Sequence, residues 1–118
     1  GAWLEYANFL VEIKRFEHAE GAYRRAMRLM PNEEIPVPSA HWAYYRYLDK
    51  RKRYDEAATV IQSGIELFPE HAGFHSTAGV IYERQQIFYR AREEYRQALL
   101  LNPKLGWVRK RLEKLERL

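Results

Sequence analysis

One pattern occurs three times in this chain of 118 residues, and the repetition restricts its possible folds more than any other feature. The three copies close at Pro31, Pro69 and Pro103, which lie 38 and 34 residues apart. When these prolines are aligned, a small residue stands twelve positions before each and an aromatic or branched residue stands eight before. These positions hold Ala19, Ala57 and Ala91, and Tyr23, Ile61 and Tyr95. Such copies are expected to stack in sequence order.

The apolar residues inside each copy have helical spacing. Trp3, Tyr6, Ala7 and Leu10 follow the i, i+3, i+4, i+7 order of one helix face. Each closing proline ends a helix because it lacks an N–H group and collides with the preceding turn. No strand-like alternation of useful length occurs. The sequence predicts an all-α fold of about seven antiparallel helices, near residues 2–13, 16–30, 38–50, 54–68, 71–84, 88–101 and 105–117.

The composition excludes several classes of protein. With 47% hydrophobic and 31% charged residues, the chain is not expected to be disordered. It has no apolar run of about 18 residues, so no membrane insertion is predicted. Without cysteine it can have neither disulfides nor a thiolate metal site, and either the cytoplasm or the periplasm would suit it. A net charge of +4 is too small to predict nucleic-acid binding by itself.

The repeated residues resemble the tetratricopeptide repeat (TPR), a pair of antiparallel helices of about 34 residues. The first copy matches that family's pattern at Trp3, Tyr6, Ala7, Leu10, Ala19, Tyr23, Ala26 and Pro31. The third matches at His75, Ala78, Gly79, Tyr82, Ala91, Tyr95, Ala98 and Pro103. The second carries the string from Tyr54 to Ala57 that is typical of the turn between paired helices, but has Tyr44 and Tyr45 in place of the Leu-Gly-like pair. The resemblance implies a right-handed α–α superhelix, or solenoid.

This resemblance also implies a division of the chain into repeats. We expect repeat 1 at 2–31, an inserted loop at 32–37, repeat 2 at 38–69, repeat 3 at 70–103 and a capping helix at 104–118. The last segment has one apolar stripe and one charged face, as a cap requires, although it could instead open a truncated fourth repeat. The absence of an initiator Met favours one domain of a larger protein.

No catalytic residue, cofactor or metal site is predicted. His71 and His75 are spaced i, i+4 and could chelate a metal, but no third ligand is visible, and His75 and His41 occupy core-facing positions of their repeats. The sequence has no nucleophile elbow and no phosphate-binding glycine motif. Glutamates such as Glu93 and Glu94 have arginine neighbours and are predicted to be solvated. We therefore do not expect an enzyme.

In the TPR family the first helix of each pair lines a concave groove that holds partner peptides, and the resemblance implies such a groove here. The groove-facing positions are Leu4, Asn8, Val11 and Glu12 from copy one, Trp42, Arg46, Asp49 and Lys50 from copy two, and Ser76, Val80, Glu83 and Arg84 from copy three. Trp42 is a candidate aromatic anchor, or else packs on the next repeat or the segment 36–38. Arg46 could bind a carboxylate or a backbone carbonyl.

One TPR subgroup grips the C-terminal carboxylate of cytosolic chaperones with Lys, Asn, Asn, Lys and Arg. The matching positions here are Leu4, Asn8, Arg46, Gly73 and Thr77. Only Asn8 agrees, so the sequence does not predict this clamp.

The leading functional prediction is a non-catalytic scaffold that binds a protein or peptide ligand. An RNA-processing scaffold is an alternative, because the spacing of Trp3, Tyr6 and Phe9 resembles the half-a-TPR repeats, although nucleic acid is not the expected partner. A soluble accessory domain of a membrane-bound enzyme is a further alternative. The cationic clusters at 50–53 and at Arg109, Lys110, Arg111 and Lys114 could contact phosphates or an acidic partner, but they are expected to be solvated surface. Because no earlier helix covers Trp3 and Tyr6, we also predict a homo-oligomer through the N-terminal repeat.

Overall fold

The computed structural model describes residues 2–29 and 38–118, which form seven α-helices and no strand. These are α1 (Ala2–Glu12), α2 (Phe16–Leu29), α3 (Ser39–Lys50), α4 (Tyr54–Leu67), α5 (Ala72–Arg84), α6 (Phe88–Leu101) and α7 (Gly106–Glu116). The predicted all-α fold is confirmed, and each helix boundary lies within one residue of its prediction. The predicted loop 32–37 and Pro31 lie outside the described residues, and the repeat boundaries stay a prediction. None of the described helices is long and apolar enough to cross a membrane.

The chain divides into two compact units, Gly1–Val60 and Ile61–Leu118. In the first unit, buried alanines such as Ala7, Ala19 and Ala57 allow the helix axes to approach closely. Larger side chains fill the grooves that this approach leaves. The rings of Tyr23 and Tyr44 stack with their centroids 5.3 Å apart, so that α2 packs on α3 through aromatic contacts.

The second unit uses the same device with glycine as well as alanine. Ala91, Tyr95 and Ala98 of α6 are completely buried together with Val108 of α7. Gly79 on α5 faces the Tyr95 ring so closely that a Cβ atom there would overlap it. On α4, a Cβ atom at Gly64 would lie 3.0 Å from the ring of Phe74, so the aromatic ring occupies the space that this glycine leaves.

The three turns within the helix pairs have the same backbone conformation. Lys14, Lys52 and Gln86 have φ angles of 62°, 62° and 63°, and each stands 17 positions before the proline of its copy. The N–H of Lys52 donates to the Asp49 carbonyl at 3.0 Å, and the next N–H donates back to the fifth residue before it, an arrangement that recurs in all three turns. This is the Schellman ending of a helix, which usually employs glycine.

We expect Gln86→Gly to stabilise the protein, because an L-residue with left-handed φ carries a Cβ clash that glycine avoids. Glycine also loses more backbone entropy on folding, so the net gain should be about 0.5–1 kcal/mol in the free energy of unfolding, measured by urea denaturation. Gln85→Gly is the matched control. Gln85 has right-handed φ, and the same change there should destabilise by about 0.5–1 kcal/mol. Equal effects at the two positions would contradict the explanation.

Gly79→Ala should destabilise the protein by about 1–3 kcal/mol, because the added methyl group forces the buried Tyr95 ring to move. Gly21→Ala provides the comparison within helix α2. A Cβ atom at Gly21 meets nothing within 4 Å, so the gain in helix propensity should stabilise by about 0.5–1 kcal/mol. In thermal denaturation, the melting temperature of Gly79→Ala should therefore fall below that of the unmodified protein, and the melting temperature of Gly21→Ala should rise above it.

Candidate functional site

Helices α1 and α3 of the first unit bring several predicted groove residues together around two cavities. The larger, of about 530 Å³, is lined by Asn8, Val11, Lys14, Phe16, Tyr23, Ala43, Arg46, Tyr47, Lys50 and Arg51. The second, of about 510 Å³, is lined by Leu4, Asn8, Ser39, Trp42, Ala43 and Arg46. The two cavities share Asn8, Ala43 and Arg46, and together we call them the α1–α3 groove.

The larger cavity combines an aromatic lining with positive charge. Phe16, Tyr23 and Tyr47 supply its rings, and four cationic side chains also line it: Lys14, Arg46, Lys50 and Arg51. Among residues 2–29 and 38–118, no carboxylate lines either cavity. Such a surface suits an anionic group that sits beside an apolar side chain, because cationic side chains and aromatic rings line the same cavity.

Asn8 is held in this groove by its own helix pair. The Tyr23 hydroxyl donates a hydrogen bond to Asn8 Oδ1 at 3.0 Å. Burial raises the pKa of Tyr23, partly offset by the charge of Arg46, and keeps the hydroxyl protonated as a donor. This bond engages the amide oxygen of Asn8, so the NH₂ group is the donor that Asn8 could offer to a carbonyl or carboxylate of a ligand.

Arg51 and Tyr47 are held by neighbours from α2. The Arg51 guanidinium lies 4.2 Å from the centroid of the Phe16 ring and 5.6 Å from that of Tyr47. The Tyr47 hydroxyl donates a hydrogen bond to Glu20 Oε2 at 2.9 Å. Glu20 also forms an ion pair with Arg53, whose guanidinium nitrogen lies 2.7 Å from Glu20 Oε1. Burial and the hydrogen bond to Glu20 raise the pKa of Tyr47 to about 12. These contacts fix one wall of the groove before any ligand binds.

The structure brings some of the predicted residues of the first unit together and leaves others apart. Asn8, Val11, Arg46 and Lys50 line the larger cavity, and Trp42 lines the smaller. Trp42 is half-buried and meets the Tyr45 ring edge-on at 5.9 Å. Glu12 and Asp49, also predicted for the groove, line neither cavity.

Other lining residues were missed by sequence reasoning. Lys14, Phe16, Tyr23, Tyr47 and Arg51 belong to hairpin turns, to α2 or to the core-facing side of α3. Sequence spacing offered one clue, because Arg51, the residue directly after α3, follows Tyr47 by four positions.

The four predicted residues on α5 belong to the second unit. Ser76 is buried, and its hydroxyl donates to the Gly73 carbonyl at 3.0 Å. Val80 packs against the core of that unit. Glu83 accepts a 2.6 Å hydrogen bond from the Tyr95 hydroxyl, while Arg84 is exposed. A partner-binding role for these residues stays a prediction.

The predicted core-facing placement of His41 and His75 is confirmed, since both are buried. Glu94, predicted to be solvated, instead lies 2.8 Å from His75 Nδ1, because the helix pair turns it toward the ring. Nε2 of the same histidine lies 2.7 Å from the Pro69 carbonyl oxygen. Both ring nitrogens are therefore engaged. Residues 2–29 and 38–118 contain no group of three side chains that could hold a metal.

The helix pairs, the alanine and glycine contacts and the groove define the class of protein: the chain has the fold of a TPR domain. The N-terminal domain of stress-induced protein-1 (STI-1) from C. elegans is similar with a TM-score of 0.79 at 20% identity, covering 98% of this chain and 92% of that one. The first TPR of Spaghetti (RPAP3), bound to the HSP90 peptide SRMEEVD, is similar with a TM-score of 0.75 at 17% identity. The match covers 98% of this chain and 89% of that one. The Arabidopsis OM64 TPR domain is similar with a TM-score of 0.74 at 15% identity, and the match covers 98% of this chain and 93% of that one.

No family model matches the sequence, and no curated protein matches it significantly. At 15–20% identity, the similarity to these structures establishes the fold and leaves the ligand to be argued from the groove itself.

Stability should fall as the solution is acidified from pH 7.5 to 5.5. Burial lowers the pKa of His41 from its ordinary 6.5, and burial with the nearby His75 lowers that of His71. In the window below about 6.5 the unfolded chain therefore binds more protons than the folded one, and the free energy of unfolding decreases.

The variant His41→Gln should show a shallower pH dependence in urea denaturation. Its intrinsic cost can be measured at pH 8, where both of these histidines are neutral. An unchanged slope between pH 7.5 and 5.5 would contradict the role assigned to His41.

Proposed function

We propose that this chain is a non-catalytic protein–protein interaction scaffold, one domain of a larger protein, that binds a partner segment in the α1–α3 groove. The observation that supports this most is the larger cavity, where aromatic rings and four cations occur and none of the described lining residues is a carboxylate. The TPR fold of the neighbours, one of them bound to a peptide, agrees with a scaffold. The two tyrosines of the cavity have raised pKa values, which makes them poor general bases near neutral pH.

The groove favours an extended acidic segment with one apolar side chain. Arg46 is exposed and lines both cavities, so it is placed to pair with a carboxylate wherever the segment lies. Phe16 and Val11 offer an apolar surface to a neighbouring side chain. Because hydrogen bonds and ring contacts already hold Asn8, Tyr47 and Arg51, the partner loses entropy on binding but the groove loses little.

The proposed mode of binding in the α1–α3 groove differs from the clamp by which one TPR subgroup binds chaperone tails. Of the five clamp positions only Asn8 carries the expected residue type, whereas Lys14, Lys50 and Arg51 place positive charge beside the hairpin turns. We therefore propose acidic segments in general rather than the C-terminal tail of a chaperone. Homo-oligomerisation through the N-terminal repeat also stays a proposal.

Arg46→Glu tests the groove. A panel of fluorescein-labelled peptides, each with one apolar residue and zero to three internal carboxylates, would be measured by fluorescence anisotropy together with SRMEEVD. Affinity for the protein should rise with the number of carboxylates, and Arg46→Glu should weaken it about tenfold or more, because an attraction becomes a repulsion. Far-UV circular dichroism should remain unchanged, since Arg46 is exposed.

Lys110→Glu on α7 is the matched control, because Lys110 is exposed and its change alters the net charge equally. It should weaken binding less than threefold if the cavity, rather than the overall charge, binds the peptide. Equal loss in both variants, or equal affinity for uncharged peptides, would contradict the proposal. Tighter binding of a single-stranded RNA than of any peptide would instead favour the RNA-scaffold alternative.

A further inference from the structure

Helix α1 has a second surface, on the side away from the groove. Tyr6, Phe9 and Ile13 follow helical spacing and are 48%, 53% and 48% exposed, and Trp3 beside them is 38% exposed. The helical positions of these residues lie roughly opposite to those of the groove residue Asn8. We call the four side chains the outer face of α1. A contiguous apolar patch of this kind is often an interaction surface.

The same positions are covered in the next repeat. Tyr44 and Tyr47 stand 38 residues after Tyr6 and Phe9, and they are only 4% and 7% exposed. Helix α2 covers them: the Tyr23 ring packs on both, at 5.3 and 5.6 Å between centroids. In the third repeat the equivalent Ala78 and Ile81 are each 6% exposed. The outer face of α1 therefore has the residue types of a surface on which a helix packs.

We infer that a second copy of this chain covers the outer face of α1, so that two copies pack these aromatic faces against each other. Four half-exposed large side chains present about 400 Å² of apolar surface. Two such faces remove about 800 Å² from water, which is below the roughly 1,200 Å² of stable specific interfaces and fits a weak dimer that forms at high protein concentration.

The charges around the face also suit a second copy. Glu5 and Glu12 lie on one flank of the aromatic row by their helical positions. On the other flank, the Arg25 guanidinium lies 5.0 Å from the centroid of the Trp3 ring. A twofold pairing of like faces with parallel helices sets the acidic flank of each copy against the cationic flank of the other.

Phe9→Lys tests this pairing by analytical ultracentrifugation of the whole chain from about 10 µM to 1 mM. The unmodified protein should show a rising dimer fraction, and Phe9→Lys should raise the dissociation constant at least tenfold, because the twofold pairing would bury two like charges at the centre of the interface. The variant should fold, since Phe9 is exposed and the introduced ammonium group would lie one helical turn from Glu5 and from Glu12. Circular dichroism verifies this.

Leu100→Lys is the control, because Leu100 on α6 is 77% exposed and outside the proposed face. Its dissociation constant should equal that of the unmodified protein. A monomer throughout the concentration range, or equal losses from both lysine variants, would overturn the inference. Since the face and the groove lie on different sides of α1, peptide binding by Phe9→Lys should be unchanged. Failure of the dimer would thus be distinguishable from failure of the proposed groove.

Discussion

The close approach of helix axes at alanine and glycine is the constraint on which the rest of this structure depends. Ala19 and Ala91, twelve residues before the prolines of their copies, are both completely buried. At these positions a larger side chain would separate the helices and leave the neighbouring rings without contacts. Gly79 takes this further, because the space of its missing Cβ atom is occupied by Tyr95. The aromatic side chains can fill the core only because small residues open the grooves that receive them.

Polar contacts then connect the packed helices at specific points. Tyr23 and Tyr95, at the same position of repeats 1 and 3, each donate a hydroxyl hydrogen bond to the first helix of their own pair, at Asn8 and Glu83. Burial and the bond to Glu83 hold the pKa of Tyr95 well above its usual range. In repeat 2 the equivalent residue is Ile61, which has no donor. The repeats thus share their apolar packing but differ in their hydrogen bonds.

The groove is a consequence of this framework. Tyr23 and Tyr47 are buried in the core between α2 and α3, yet they also line the cavity, so the same side chains that stabilise the first unit shape its candidate binding surface. The cations are supplied by exposed side chains such as Arg46, Lys50 and Arg51, whose charges remain in contact with water. A core of stacked rings with a cationic border therefore supplies both the apolar and the charged part of the cavity lining.

The sequence alone determined the helices, their order and the repeat, because helical spacing and proline positions are local signals that occur in each copy independently. It also determined that His41 and His75 face the core, and it selected Asn8, Val11, Arg46 and Lys50 from their positions in the repeat. Only the tertiary structure decided that Glu94 meets His75, that Phe74 fills the space beside Gly64, and that Phe16, Tyr47 and Arg51 complete the cavity. These pairings depend on the rotation and approach of neighbouring helices, which result from the packing of many side chains at once and are not encoded in the spacing of any one helix.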